Sequence, residues 1–398
     1  MYPSPVQQGS VGRRAAPWAA IERVDLPLIA AAMGLMAVSV YTLTMATQDD
    51  IPGSPLYYVI RQAVYAVLGL AIMIAVARFD ISRLREHSRA MYVGMIVSIA
   101  LVFLVGVAAK GSKRWIDFPF FKFQPSELGK VLLILALSAF VVDRARRLGD
   151  RETTSRIVLL AVIPAMLVVA QPDLGSGLVY LAIAAVTMFV AGTKWTHLAA
   201  LGGLAVGAVA IVLLVAPAVG VEVLKPYQVD RLTAFVSPTD DPQKQGYQLK
   251  QSITAIGSGQ KLGRGPDGAT QTRLDFLPEH HTDFVFAVIG EQFGFLGAAV
   301  VLSLFALLLW RALRILTSAK NLYGALVAGG ITAMLMFQIF VNVGMTIGIM
   351  PITGVPLPLV SYGGSSVLVT FLALGLLQSI HAQARATELA KARELASV

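Results

Sequence analysis

The stretch LYGALVAGGITAMLMFQIFVNVGMTIG, residues 322–348, decides the fold. It carries no Asp, Glu, Lys or Arg, and it exceeds the ~20 residues a helix needs to cross a bilayer's hydrocarbon core. Its apolar residues run continuously rather than alternating, which fits a spanning helix and not a barrel strand. Nine more apolar runs lie near 26–47, 57–78, 91–109, 127–142, 157–171, 177–193, 198–220, 284–310 and 366–383. Only 14% of the 398 residues are charged and mean hydropathy is +0.71, whereas a soluble domain carries about a quarter charged residues. The expected class is an all-α polytopic membrane protein of about ten transmembrane helices.

Absence of cysteine excludes disulfide and thiolate chemistry. Residues 1–24 are polar and basic, with Arg13, Arg14 and Arg23, and read as a cytoplasmic tail. The apolar stretch after them is too long for a signal-peptide core and lacks a small-residue cleavage site, so it reads as a retained span. Ten spans place both termini on one side. The positive-inside rule makes that side cytoplasmic, because the loops there hold Arg83, Arg85 and Arg89, then Arg144, Arg146, Arg147, Arg151 and Arg156, then Arg311, Arg314 and Lys320. One membrane domain over 25–384 is expected, followed by a basic tail, 385–398. No inverted repeat between halves is apparent, which disfavours a secondary transporter.

Two outer segments remain, 110–127 and 221–283, the latter joining the seventh and eighth spans. Both are basic against the topological tendency, with Lys110, Lys113, Arg114 and Lys122 in the first and Lys225, Arg231, Lys244, Lys250, Lys261, Arg264 and Arg273 in the second. An anionic ligand outside would account for these charges; anionic lipid headgroups are the plainer alternative.

Four constellations could carry chemistry. In Gln124-Pro125-Ser126-Glu127-Leu128-Gly129-Lys130, Ser126 reads as a helix N-cap, with Glu127 and Lys130 on one helical face. A cap with a surface ion pair is the plain reading. Lys130 nonetheless lies inside an apolar run, where an ionisable group usually faces a cavity or a partner. In Leu277-Pro278-Glu279-His280-His281-Thr282-Asp283-Phe284, Asp283 is either a first-turn acid completing the helix dipole or a base for a hydroxyl at the membrane surface. The histidines lack the HExxH spacing of a tight zinc site. A loosely held Mg²⁺ or Mn²⁺ shared with substrate phosphates fits better. Glu291 and Arg61, in the eighth and second spans, each need a partner in lipid; they would pair with one another, or Glu291 with Lys130. Finally, Met350 to Ser366 carries three prolines, then Ser361, Tyr362 and two glycines, so its backbone is irregular and lines a cavity. Gln171-Pro172-Asp173 is a similar break. The stretch 257–265, GSGQKLGRG, misses the Walker A spacing and reads as a flexible basic loop, preceded by a short interfacial helix over 247–256.

In order along the chain, GSKRW (111–115), QPSELGK (124–130), QPDLGSG (171–177), GYQLKQSITAIGSG (246–259), FLPEHHTDF (276–284) and PITGVPLPLVSYGGSS (351–366) resemble the SEDS family of shape, elongation, division and sporulation proteins. The resemblance covers about 24–384. MPITGVPLP and HTDF look more like the elongation branch than the division branch. The resemblance implies a peptidoglycan glycosyltransferase that polymerises lipid II outside the bacterial inner membrane. Its implied partners are a class B penicillin-binding protein and other elongation-complex proteins, with no nucleic acid and no organic cofactor. The family's essential aspartate falls on Asp283, its Glu and Lys after the QPS turn on Glu127 and Lys130, and its RW arginine on Arg114. On this reading Asp283 is catalytic. Arg114, Glu127, Lys130, Lys250, Arg264, Arg273 and Ser361 contact substrate, supported by Arg61, Gln124, Ser126, Asp173, His281 and Glu291. A lipid II flippase and a non-catalytic scaffold are the alternatives.

Overall fold

The computed structural model describes residues 24–48, 50–109, 112–118, 121–212, 229, 231, 235, 245–274 and 276–396. Its principal helices are α1 (Leu26–Ala46), α2 (Tyr57–Ala77), α3 (Ser88–Val105), α4 (Pro125–Asp143), α5 (Arg151–Ala170), α6 (Leu174–Val190), α7 (Trp195–Ala210), α8 (Gln245–Gly259), α9 (Val285–Ser318), α10 (Leu322–Thr346) and α11 (Gly364–Ala396). Eight of these are long and apolar enough to cross a bilayer, and α6 and α7 are shorter apolar helices. Together these ten coincide with the ten predicted runs to within a few residues at most ends.

Local chemistry sets several starts. Asp25 caps α1 by accepting from Leu28 N at 3.1 Å, Asp173 caps α6 by accepting from Ser176 N at 3.1 Å, and Asn321 caps α10 by accepting from Gly324 N at 2.8 Å. The central helices are α4, α10 and α11, each with 78% of its apolar window buried, against 17% for α3. α11 packs on α2, and α9 packs on α1 and α10. α7 buries none of its residues. At the end where α1 begins, the Arg311 guanidinium grips the buried Asp25 carboxylate with contacts down to 2.6 Å.

Three details are refined. The chain is nearly all-helical, as expected, and its first outer segment, read as a loop, folds as an antiparallel sheet of β1 (Val107–Ala109), β2 (Ser112–Asp117) and β3 (Lys122–Phe123). Trp115 pairs with Val107, and Ile116 with Phe123, so β-branched and aromatic residues favour the pleat. Secondly, Ser126 is not the N-cap of α4. Pro125 occupies the first turn and Gln124 is the cap, in keeping with proline's fit to the first helical position. Thirdly, 257–265 is not a loose loop. α9 breaks at Gly294 (φ 64°, ψ −159°), and this segment docks into the break. Phe295 N donates to the Gln260 carbonyl at 2.8 Å and Arg264 N to the Glu291 carbonyl at 2.9 Å. Backbone groups released by the kink are thus satisfied, as lipid requires. The interfacial helix before it runs longer than predicted, over Gln245–Gly259, and most of 213–244 lies outside the described residues.

A Cβ on Gly294 would stand 2.3 Å from Gly263 N, and a left-handed backbone adds its own cost. Gly294→Ala is therefore expected to lower stability by about 1–3 kcal/mol, read as a lower melting temperature in detergent, with 257–265 becoming protease-sensitive.

Candidate active site

Two polar clusters meet across the segment 351–366. The first is built on the start of α4. Lys130 Nζ donates to Glu127 Oε1 at 2.6 Å, and Lys130 is 1% exposed. Tyr180 OH donates to the Ser126 carbonyl at 3.0 Å. Gln124 Nε2 donates to Asp173 Oδ2 and Ser126 Oγ, each at 3.1 Å. Arg114 Nε donates to the Gln171 carbonyl at 3.2 Å, its Nη2 donates to the Pro172 carbonyl, and Nη1 lies 4.0 Å from Asp173. The tight turn between α5 and α6 is therefore tied to the sheet and to α4.

The second cluster is built around Asp283, which sits in a turn just ahead of Phe284, the N-cap of α9. It is not the first-turn acid that the helix dipole would want. Its backbone carbonyl accepts from Asn342 Nδ2 at 2.9 Å, and the same amide donates to the Val355 carbonyl at 2.8 Å. Its carboxylate lies beside Gly354, where a Cβ would stand 3.5 Å from Oδ2. Arg231 Nη1 donates to the neighbouring Thr353 carbonyl at 3.0 Å.

The irregular segment joins the two. Ser361 Oγ donates to the Thr282 carbonyl at 2.6 Å and accepts from Leu357 N at 2.8 Å; Tyr362 N donates to the His281 carbonyl at 2.9 Å. Ser39 on α1 donates to the Val360 carbonyl at 2.7 Å. Gln62 on α2 donates to Ser39 Oγ at 3.0 Å and to the Ser361 carbonyl at 3.3 Å. On the other flank Ser365 Oγ accepts from Gln124 N at 3.0 Å. Gly175, just after Asp173, packs so closely on the segment that a Cβ there would stand 2.8 Å from the Thr353 carbonyl oxygen. Residues from α1, α2, α6 and α10, with the turns leading into α4 and α9, thus hold one strip that is non-helical as far as Gly363. Over it lie the rings of Tyr58, His281 and Tyr362, with Tyr58 4.6 Å from His281 and 4.9 Å from Tyr362. Burial pushes the Tyr362 phenol up, so it stays a neutral hydroxyl.

Several assignments shift. Ser361 spends its hydroxyl on two backbone groups and so positions the strip rather than offering a free hydroxyl to substrate. Lys130 and Arg114 are engaged inside the protein, so they shape the site's wall. Glu291 pairs with neither Arg61 nor Lys130. Its buried carboxylate accepts from Gln271 N at 2.8 Å, Thr272 N at 3.0 Å and Thr272 Oγ1 at 2.6 Å, capping the turn that follows α8. Arg61 lies over the Tyr57 ring at 4.3 Å. Lys250, Arg264 and Arg273 are exposed; Arg264 Nε donates to the Ser258 carbonyl at 2.8 Å and Arg273 lies 3.7 Å from Asp267. Sequence reasoning missed Asp50, whose Oδ2 lies 3.3 Å from His280 Nε2 and 3.6 Å from His281 Nδ1. It also left Tyr58, Asn342 and Tyr362 without a role.

A family model described as "Cell cycle protein", covering FtsW, RodA and SpoVE, matches residues 24–386. The probable peptidoglycan glycosyltransferase FtsW of Geobacter metallireducens is 36% identical, over 92% of this chain and 97% of that one. The peptidoglycan glycosyltransferase MrdB of Escherichia coli K12 is 34% identical, over 90% and 93%. Among solved structures, a chain of a peptidoglycan synthase complex that coordinates polymerization and crosslinking superposes with a TM-score of 0.75 at 32% identity, over 91% of this chain and 98% of that one. The Thermus thermophilus rod shape determining protein RodA superposes at 0.66 with 29% identity, over 90% and 96%. With the family model spanning nearly all of its length and such relatives aligned end to end, this chain belongs to the SEDS family of FtsW, RodA and SpoVE.

Proposed function

We propose that the protein is a peptidoglycan glycosyltransferase that joins lipid II units into β-1,4 glycan strands on the outer face of the bacterial inner membrane. The observation that carries this is the placement of Asp283, part-exposed and held by its own backbone beside the wall of 351–366. Relatives named as peptidoglycan glycosyltransferases support the reaction class. The donor sugar is α-linked to pyrophosphate and the product bond is β, so displacement inverts the anomeric carbon. The acceptor's 4-hydroxyl gives its proton to Asp283 as its oxygen bonds that carbon, and pyrophosphate leaves with the bonding pair. Placement ahead of the helix, rather than in its first turn, spares Asp283 some of the dipole that would weaken it as a base. Departing negative charge calls for cations. The exposed Lys250, Arg264 and Arg273 are assigned to it, with Arg231 nearer the strip, while Arg114 and the Glu127–Lys130 pair hold the wall.

The partner is a class B penicillin-binding protein, a reading supported by the superposition on a synthase complex. The role is cell elongation, a reading supported by MPITGVPLP over 350–358. Depleting the protein in its host should then yield round cells; filaments would assign it to division. Reconstitution with lipid II and the partner in vesicles tests the activity. Polymer is the expected outcome, translocation alone points to a flippase, and neither points to a scaffold.

A further inference from the structure

We propose that Asp50, His280 and His281 form a binding site for a single divalent transition-metal ion of the zinc type. Asp50 lies in the α1–α2 turn and the histidines in the turn before α9, so the site joins segments some 230 residues apart. The ligand atoms, Asp50 Oδ2, His280 Nε2 and His281 Nδ1, all lie within 4.8 Å of one another.

The cluster converges on one point. His280 Nδ1 is 3.2 Å from the Leu277 carbonyl. A carbonyl only accepts, so Nδ1 carries the hydrogen. Nε2 of the same ring points at the Asp50 carboxylate oxygen 3.3 Å away. The second imidazole brings Nδ1 to 3.6 Å from that same oxygen, with the ring centroids 5.2 Å apart. One dication would engage the carboxylate oxygen and both ring nitrogens at once.

The geometry agrees. Ligands about 2.1 Å from a tetrahedral ion are about 3.4 Å from each other, and the Asp50 contacts are 3.3 and 3.6 Å. An imidazole that ligates a metal usually gives its other N–H to a carbonyl, as His280 does to Leu277. Two imidazoles and one carboxylate suit Zn²⁺ or Fe²⁺ better than Mg²⁺. The Asp50 and His281 side chains remain 12% and 18% exposed, so a fourth position opens outward. An anionic oxygen or water would take it. HExxH spacing sets two imidazoles on one helix; here the third ligand comes from another turn.

The test reads metal directly and needs no lipid II, so it stands or falls apart from the polymerase reading. Full-length protein in detergent, stripped with a chelator, is titrated with Co²⁺ and followed by its visible absorption. A single saturating Co²⁺ per chain is expected, displaced by equimolar Zn²⁺ and untouched by excess Mg²⁺. Asp50→Asn and His280→Gln should each weaken Co²⁺ by more than about ten-fold, the loss seen even on removing an outer-shell partner, while His197→Gln leaves it unchanged. The near-isosteric Asp50→Asn guards against misfolding, checked by an unaltered elution profile. Absence of uptake by the wild type, or equal uptake by Asp50→Asn and His280→Gln, would overturn the site and leave an imidazolium–carboxylate pair.

Discussion

Lys130→Met is expected to destabilise the protein by about 3–5 kcal/mol, the cost of leaving one member of a buried ion pair without its partner. Lys130 and Glu127 are 1% and 3% exposed, and the ammonium donates to the carboxylate at 2.6 Å. Without Lys130 the buried Glu127 carboxylate has to stay charged without its cation or take up a proton. Glu127→Gln alone leaves an unpaired ammonium and should be comparably harmful. Glu127→Gln combined with Lys130→Met removes both charges, and replacement of a whole buried pair by neutral groups is often close to neutral. The melting temperature of the double variant should therefore recover most of the loss of either single one. A single variant as stable as the wild type would show that the pair contributes nothing. Polymerisation by the recovered double variant separates scaffold from chemistry: a stable but inactive protein places the pair's charge in the reaction.

Asp283→Asn should cut glycan synthesis by about 10²–10⁴-fold, the range supplied by a positioned general base, with lipid II binding retained. The amide keeps the shape and loses the basic oxygen. The backbone carbonyl of residue 283 still accepts from Asn342 Nδ2, so the turn should hold and the melting temperature should change little. Asp283→Ala should behave alike. A variant that binds lipid II and polymerises at the wild-type rate would remove Asp283 from the chemistry and send the search for a base to Glu127.

Most of the bundle was legible because lipid imposes a blunt rule: a helix needs about 20 apolar residues to cross it. Runs such as 322–348 obey that rule without ambiguity. The sheet over 107–123 was not legible, since Lys113, Arg114 and Asp117 break any apolar pattern and the strands are short. The cap of α4 could have been read correctly, because proline's preference for the first helical position puts Gln124, not Ser126, at the cap. Glu291 was misread for a different reason. Spacing arguments look for a charged partner, whereas its partners are the backbone N–H groups of Gln271 and Thr272. The strip over 351–366 was recognisable as irregular from its prolines, but not as the tie between the two polar clusters. That role depends on single contacts, such as Ser361 with Thr282 and Ser365 with Gln124. Asp50 carried no signal at all. Its partners lie some 230 residues away, and nothing local marks a turn carboxylate as a neighbour of two histidines.

The most direct test of the account is to find where the substrate sits. Lipid II carrying a photo-crosslinker on its disaccharide, bound to the protein and its class B partner, can be mapped by mass spectrometry after irradiation. Crosslinks are expected in peptides from 351–366, the strip beside Asp283, and from the flanking 112–118, 171–176 and 276–284. Crosslinks confined to the opposite end of the bundle, around Arg85, Asp143 and Arg311, would contradict it.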